Sequence, residues 1–120
     1  MYTIKVRSKF SSAHNLRGHK GKCEALHGHN WNVEVAVSSA EVDDMGMVLD
    51  FTELKKILNE TTGDLDHKYL NEIEYFKEVN PTSENIARYV YEKILFKNPD
   101  LKISEVIVWE TDTSSASYSA

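Results

Sequence analysis

The stretch His27-Gly28-His29-Asn30-Trp31-Asn32-Val33-Glu34-Val35-Ala36-Val37 carries two signals at once. From Asn30 onward apolar and polar residues alternate, with Trp31, Val33, Val35 and Val37 on one side and Asn30, Asn32 and Glu34 on the other. A period of two is the mark of a half-buried strand. Just before it stand two imidazoles two residues apart, and on an extended backbone both project to the same side.

Working outward, residues 2 to 10 alternate in the same way, with Tyr2, Ile4, Val6 and Phe10 separated by Thr3, Lys5, Arg7 and Lys9. A second strand is expected there. Between the two strands lies a loop rich in glycine, histidine and charge, from about Asn15 to Gly28. Long ordered loops are uncommon unless they have a function. Downstream, Asp43-Asp44-Met45-Gly46 is a turn signal, and Asp50-Phe51-Thr52-Glu53 starts a helix with an acceptor followed three residues later by a glutamate. Leu54, Ile57 and Leu58 form its apolar stripe, Lys55, Lys56 and Glu60 face water, and Gly63 ends it.

The segment Asp64 to Tyr75 has no clean period and reads as loop or short turns. A second helix begins near Asn80-Pro81-Thr82, with Thr82 a good cap and Pro81 just outside. Its stripe is Ile86, Tyr89, Val90 and Ile94, and Asn98-Pro99 stops it. A strand is expected from Lys102 to Glu110, with Ile103, Ile107 and Trp109 facing one way and Val106 and Val108 the other. The polar tail from Thr111 to Ala120 allows a short last strand through Ala116 and Tyr118. Strands flanking a pair of helices give an α+β class.

The 120 residues, 41% hydrophobic and 28% charged, fit a single domain over 1–120. A net charge of −5 argues against nucleic acid as a partner, since that binding runs on clustered cations. No apolar run approaches the roughly 18 residues of a membrane span, and the amino terminus has no signal-peptide core. Cys23 is the one cysteine, which excludes an internal disulfide and suits a reducing cytoplasm. The local run Arg17-Gly18-His19-Lys20-Gly21-Lys22 leaves room for a small anionic ligand.

Pairing of the first two strands would bring His14 beside His27 and His29. Three imidazoles with an open fourth position suit a catalytic zinc better than a structural one, which would want more thiolates. Cys23, four residues before His27 and among Lys20, Lys22 and Glu24, is a candidate ligand, nucleophile or general base. Asp66-His67 places a carboxylate where it can orient an imidazole. Glu110 closes an otherwise apolar strand.

Several of these pieces occur together in a known pattern. Phe10-Ser11-Ser12-Ala13-His14, Cys23-Glu24-Ala25-Leu26-His27-Gly28-His29, Val48-Leu49-Asp50-Phe51, Leu65-Asp66-His67-Lys68-Tyr69-Leu70-Asn71, Asn80-Pro81-Thr82-Ser83-Glu84-Asn85 and Glu110-Thr111 span nearly the whole chain. Taken together the chain resembles the 6-pyruvoyl-tetrahydropterin synthase family, and within it the bacterial 6-carboxy-tetrahydropterin synthase branch. The resemblance implies the tunnelling fold: a four-stranded antiparallel sheet with two helices on one face, ββααββ, closing barrels by oligomerisation. It implies one zinc per subunit on His14, His27 and His29, Cys23 as proton acceptor, Asp66 and His67 as a relay pair, and Glu110 as the pterin anchor.

The implied activity is that of a lyase converting 7,8-dihydroneopterin triphosphate to 6-carboxy-tetrahydropterin, acetaldehyde and triphosphate, toward the deazapurine of queuosine. A cytoplasmic homo-oligomer, a hexamer of two stacked trimers, is expected, with the pterin triphosphate as its small-molecule partner. The relatives that form pyruvoyl-tetrahydropterin space the cysteine further from His-Gly-His, which favours the carboxy branch. A non-catalytic metal-binding module on the same fold is the alternative from another class.

Overall fold

The computed structural model describes residues 1–18, 21 and 24–120. Two long strands come first, β1 (Tyr2–His14) and β2 (His27–Ser39), followed by helix α1 (Phe51–Gly63). A 3-10 turn (Leu70–Glu72), a one-turn helix α2 (Tyr75–Glu78) and helix α3 (Ser83–Lys97) lead to β3 (Ile103–Thr111) and β4 (Ser114–Tyr118). The strands form one antiparallel sheet in the order β1-β2-β3-β4, the four-stranded antiparallel sheet that the resemblance implies.

Both expected helix starts are present, each with a side-chain cap. Asp50 accepts from the Thr52 amide at 2.8 Å, and Thr82 accepts from the Asn85 amide at 3.1 Å. Such caps satisfy one of the amides that a helix start leaves unpaired. At the far end of α3 the Asn98 amide donates to Ile94, and Pro99 cannot continue the helix. Leu54 and Leu58 of α1 and Ile86, Val90 and Ile94 of α3 are wholly buried against Val33, Val35, Val106 and Val108. Each such side chain contributes about 1.5–3 kcal/mol through burial. Among the described residues no helix is long and apolar enough to cross a membrane.

Two departures from simple alternation position the site. First, β1 continues four residues beyond Phe10, because Ser12 and His14 keep the strand's inward parity although they are polar. Second, β3 carries irregularities that a count of two cannot see. Ala36 pairs with Glu105 but Val37 pairs with Ile103, so Ser104 is an extra residue, and its hydroxyl donates to the Ala36 carbonyl at 3.1 Å. A bulge of this kind resets the parity. Ile103 therefore packs on the core with Val106 and Val108, not with Ile107 and Trp109 as expected. A second shift lies between Trp109 and Thr111, at Glu110.

Candidate metal centre

The β1–β2 register ends on Ser12 opposite His29 and His14 opposite His27. Paired residues of an antiparallel ladder share a face, so three imidazoles arrive on the side that carries the core. Trp31, fully buried, is their floor: its ring lies 4.9 Å from that of His14 and 5.2 Å from that of His29. It stacks on Phe10 at 5.8 Å, and its indole N–H donates to the Ser12 carbonyl at 3.3 Å. Glu110, at the β3 irregularity, completes the group. One donor atom from each of His14, His27, His29 and Glu110 lies within 4.8 Å of all the others.

The donors fit a divalent cation. His14 Nδ1 sits 2.7 Å from the Pro81 carbonyl, and His27 Nδ1 sits 2.7 Å from the Ala25 carbonyl. A ring nitrogen facing a carbonyl carries the proton, which leaves the lone pair on Nε2. The two Nε2 atoms face each other at 2.9 Å, an arrangement that repels unless a cation lies against both. His29 Nε2 is buried and lies 3.0 Å from Glu110 Oε1, yet it makes no aligned hydrogen bond. Buried polar atoms are nearly always partnered, so an orphan beside a carboxylate and two lone pairs is explained by a ligand role. Three imidazoles and a carboxylate are a donor set that zinc accepts.

Electrostatics point the same way. Burial holds the His14 imidazole below its ordinary pKa, against the raising effect of the Pro81 carbonyl. Burial also lowers His29, against the Glu110 carboxylate. Both rings are thereby kept in the neutral form that binds metal.

The Asp66–His67 pair forms as expected, with Nδ1 2.9 Å from Asp66 Oδ2, but it lies outside the four-residue cluster. The segment 65–69 docks on the free edge of β1. The Ser11 amide donates to Asp66 Oδ1 at 2.8 Å, the His67 amide to the Ser11 carbonyl at 2.7 Å, and the Ala13 amide to the Lys68 carbonyl at 3.0 Å. The Ser11 amide, and then His67, hold the Asp66 carboxyl below its ordinary pKa. His67 has φ +55°, a region non-glycine residues seldom enter, and its side chain is 84% exposed. A strained, exposed imidazole held by a carboxylate is available to a group approaching from outside the chain.

Cys23, with His19, Lys20 and Lys22 of the cationic run, lies outside the described residues. Arg17 is described, and it is committed to the fold: its guanidinium donates to the Phe76 and Val79 carbonyls. Pro81 and Ser83, whose hydroxyl lies 3.5 Å from Glu110 Oε2, join the site without having been singled out as its members. A main-chain carbonyl has no residue-type signature, so Pro81 left no signal to find.

The 6-pyruvoyl tetrahydropterin synthase family model matches residues 3–120. An Archaeoglobus fulgidus protein, provisionally named a 6-carboxy-5,6,7,8-tetrahydropterin synthase, is 43% identical over 91% of this chain and 88% of its own. A Pyrococcus furiosus dihydroneopterin monophosphate aldolase is 38% identical over 89% of this chain and 88% of its own. Among solved structures, the Caenorhabditis elegans 6-pyruvoyl tetrahydropterin synthase superposes with a TM-score of 0.89 at 33% identity, covering 99% of this chain and 95% of that one.

Proposed function

The chain belongs to the 6-pyruvoyl tetrahydropterin synthase family, and from that premise we propose that it acts as a 6-carboxy-5,6,7,8-tetrahydropterin synthase. The reaction converts 7,8-dihydroneopterin triphosphate to 6-carboxy-tetrahydropterin, acetaldehyde and triphosphate, and serves queuosine synthesis in the cytoplasm. The observation that carries it is the convergence of His14, His27, His29 and Glu110 at one end of the sheet.

In this reading His14, His27 and His29 hold one zinc per chain through Nε2, each presented by the ladder and the first two oriented by main-chain carbonyls. When bound, the ion supplies Lewis acidity toward side-chain oxygens of the substrate. Glu110 accepts the amino group and the adjacent ring N–H of the pterin, a paired contact that a charged acceptor strengthens. Asp66 keeps the His67 proton on Nδ1, which leaves Nε2 to take or give a proton at the substrate side chain. Cys23 is assigned the other proton transfer.

Exposure of His67 in the single chain supports an oligomer in which a second copy brings it to the substrate. The β4 edge and the β1 edge outside residues 11–13 offer unpaired backbone groups for that assembly. We take a hexamer of two stacked trimers as the form to test.

Two rivals share the family. A pyruvoyl synthase would release triphosphate and keep the three-carbon side chain. The Pyrococcus furiosus relative favours a second reading, an aldolase that acts on the monophosphate. Incubation with dihydroneopterin triphosphate and, separately, with dihydroneopterin monophosphate, with products identified by mass and acetaldehyde trapped, separates them. The proposal expects acetaldehyde and triphosphate in near-equal amounts. Triphosphate without acetaldehyde would assign the pyruvoyl reaction, and turnover of the monophosphate alone would assign the aldolase.

A further inference from the structure

Two asparagine side chains outside the histidine cluster make the same contact. Asn71 accepts from the Asn15 amide at 3.0 Å and donates to the Asn15 carbonyl at 2.9 Å. Asn80 accepts from the Arg17 amide at 2.9 Å and donates to the Arg17 carbonyl at 2.9 Å. Each side-chain amide thus behaves as a peptide group in a ladder, satisfying both main-chain groups of one residue. Residues 15 and 17 are two apart, the spacing at which a strand offers its edge to one neighbour. Strand pairing itself stops at His14 opposite His27. Asn15 and Arg17 have the parity of Ser11 and Ala13, whose main-chain groups bond segment 65–69 on the outer edge of β1, and the asparagines extend that row beyond the strand's end.

The second clamp also touches the site. The Asn80 carbonyl accepts from the Asn85 side chain at 2.8 Å, and the next carbonyl, that of Pro81, is the one facing His14 Nδ1. One short segment therefore grips the chain three residues after His14 and orients the His14 ring. The buried Asn71 grips the residue immediately after it.

We propose that Asn71 and Asn80 are positioning residues: they lock the chain leaving His14, and with it the direction in which His14 Nε2 meets His27, His29 and Glu110. Neither touches the donor atoms. Their effect runs through main-chain geometry, where small displacements of a reacting group are costly to rate. The inference rests on the cluster being the reaction site.

The test compares Asn71→Ala, Asn80→Ala, the double variant and Asn80→Asp with the parent. Three quantities are read: amide exchange at Asn15 and Arg17, zinc affinity by chelator competition, and kcat and KM on dihydroneopterin triphosphate. The alanine variants should lose protection at the clamped amide while amides of Val33 and Val35 stay protected. Zinc affinity should fall about tenfold, and kcat should fall roughly 10- to 100-fold with KM changed much less. The double variant should lose less than the product of the single losses, since both hold one segment. Asn80→Asp keeps the acceptor for the Arg17 amide and should recover part of the loss, which also covers the case of an alanine variant that folds poorly. Unchanged zinc affinity and kcat despite lost protection at Asn15 and Arg17 would overturn the proposal. So would losses that track the unfolded fraction alone. A parent inactive on the substrate would instead count against the assigned reaction, and the zinc and exchange measurements would still decide the clamp.

Discussion

Along one face of the β1–β2 ladder the chemistry changes while the geometry does not. Val6, Phe10, Val33 and Val35 fill the middle of that face, and Ser12, His14, His27 and His29 occupy its end. His14 is as buried as Phe10, 1% against 2% exposed. Burial therefore does not distinguish core from site here. The difference lies in what each side chain requires. Phe10 needs only shape and finds it against Trp31, whereas the imidazoles need partners for every nitrogen and lack one at His29 Nε2. A buried nitrogen with an unmet bonding need is what makes the end of the face a candidate ligand site.

The largest expected effect breaks that end alone. His27→Ala should lose zinc and turnover together while its stability changes by on the order of 1 kcal/mol. Elemental analysis with product assays checks this, and full zinc retention would erase the distinction between the two regions. Phe10→Ala is the converse. Denaturant titration should show a loss of about 3–5 kcal/mol from an unfilled core position, with zinc per folded chain unchanged. Glu110→Gln sharpens the site end. If Glu110 is the pterin anchor, pterin binding should weaken by about 1.5–3 kcal/mol as a charge-assisted bond is lost, and zinc should stay. Lost zinc would make it the fourth ligand.

The smallest effect lies at the β1 edge. Asp66 is held below its ordinary pKa by the Ser11 amide and then by His67. A depressed carboxyl stabilises the fold fully above its unfolded value of about 3.9, and that contribution is lost as pH falls through the lower folded value. The stability difference between parent and Asp66→Asn, read from melting temperatures, should be constant near neutrality and shrink below about pH 4. A difference that grew on acidification would remove Asp66 as a charged anchor of that edge.

Alternation in residues 2–10 and 30–37, the Asp50 and Thr82 caps, Gly63 and Asn98-Pro99 were enough by themselves to determine the α+β order. These are local signals: period, capping chemistry and breakers act within a turn or two of chain. His-x-His on an extended strand was equally local, and the third histidine followed once two strands were paired. The motifs also carried the family. Where buried residues are polar, the same logic ran short: apolar alternation marks only residues 2–10, although β1 runs on to His14.

Tertiary structure alone decided the rest. The extra residue Ser104 turned Ile103 into the core, because a bulge changes parity without a composition signal. Docking of segment 65–69 on the β1 edge set the strained backbone of His67. Pro81 reached His14, and Asn71 and Asn80 reached Asn15 and Arg17, across more than fifty residues of chain. Those contacts use main-chain amides and carbonyls, which every residue possesses. Only the packing of α3 and the segment before it against the sheet says which of them meet.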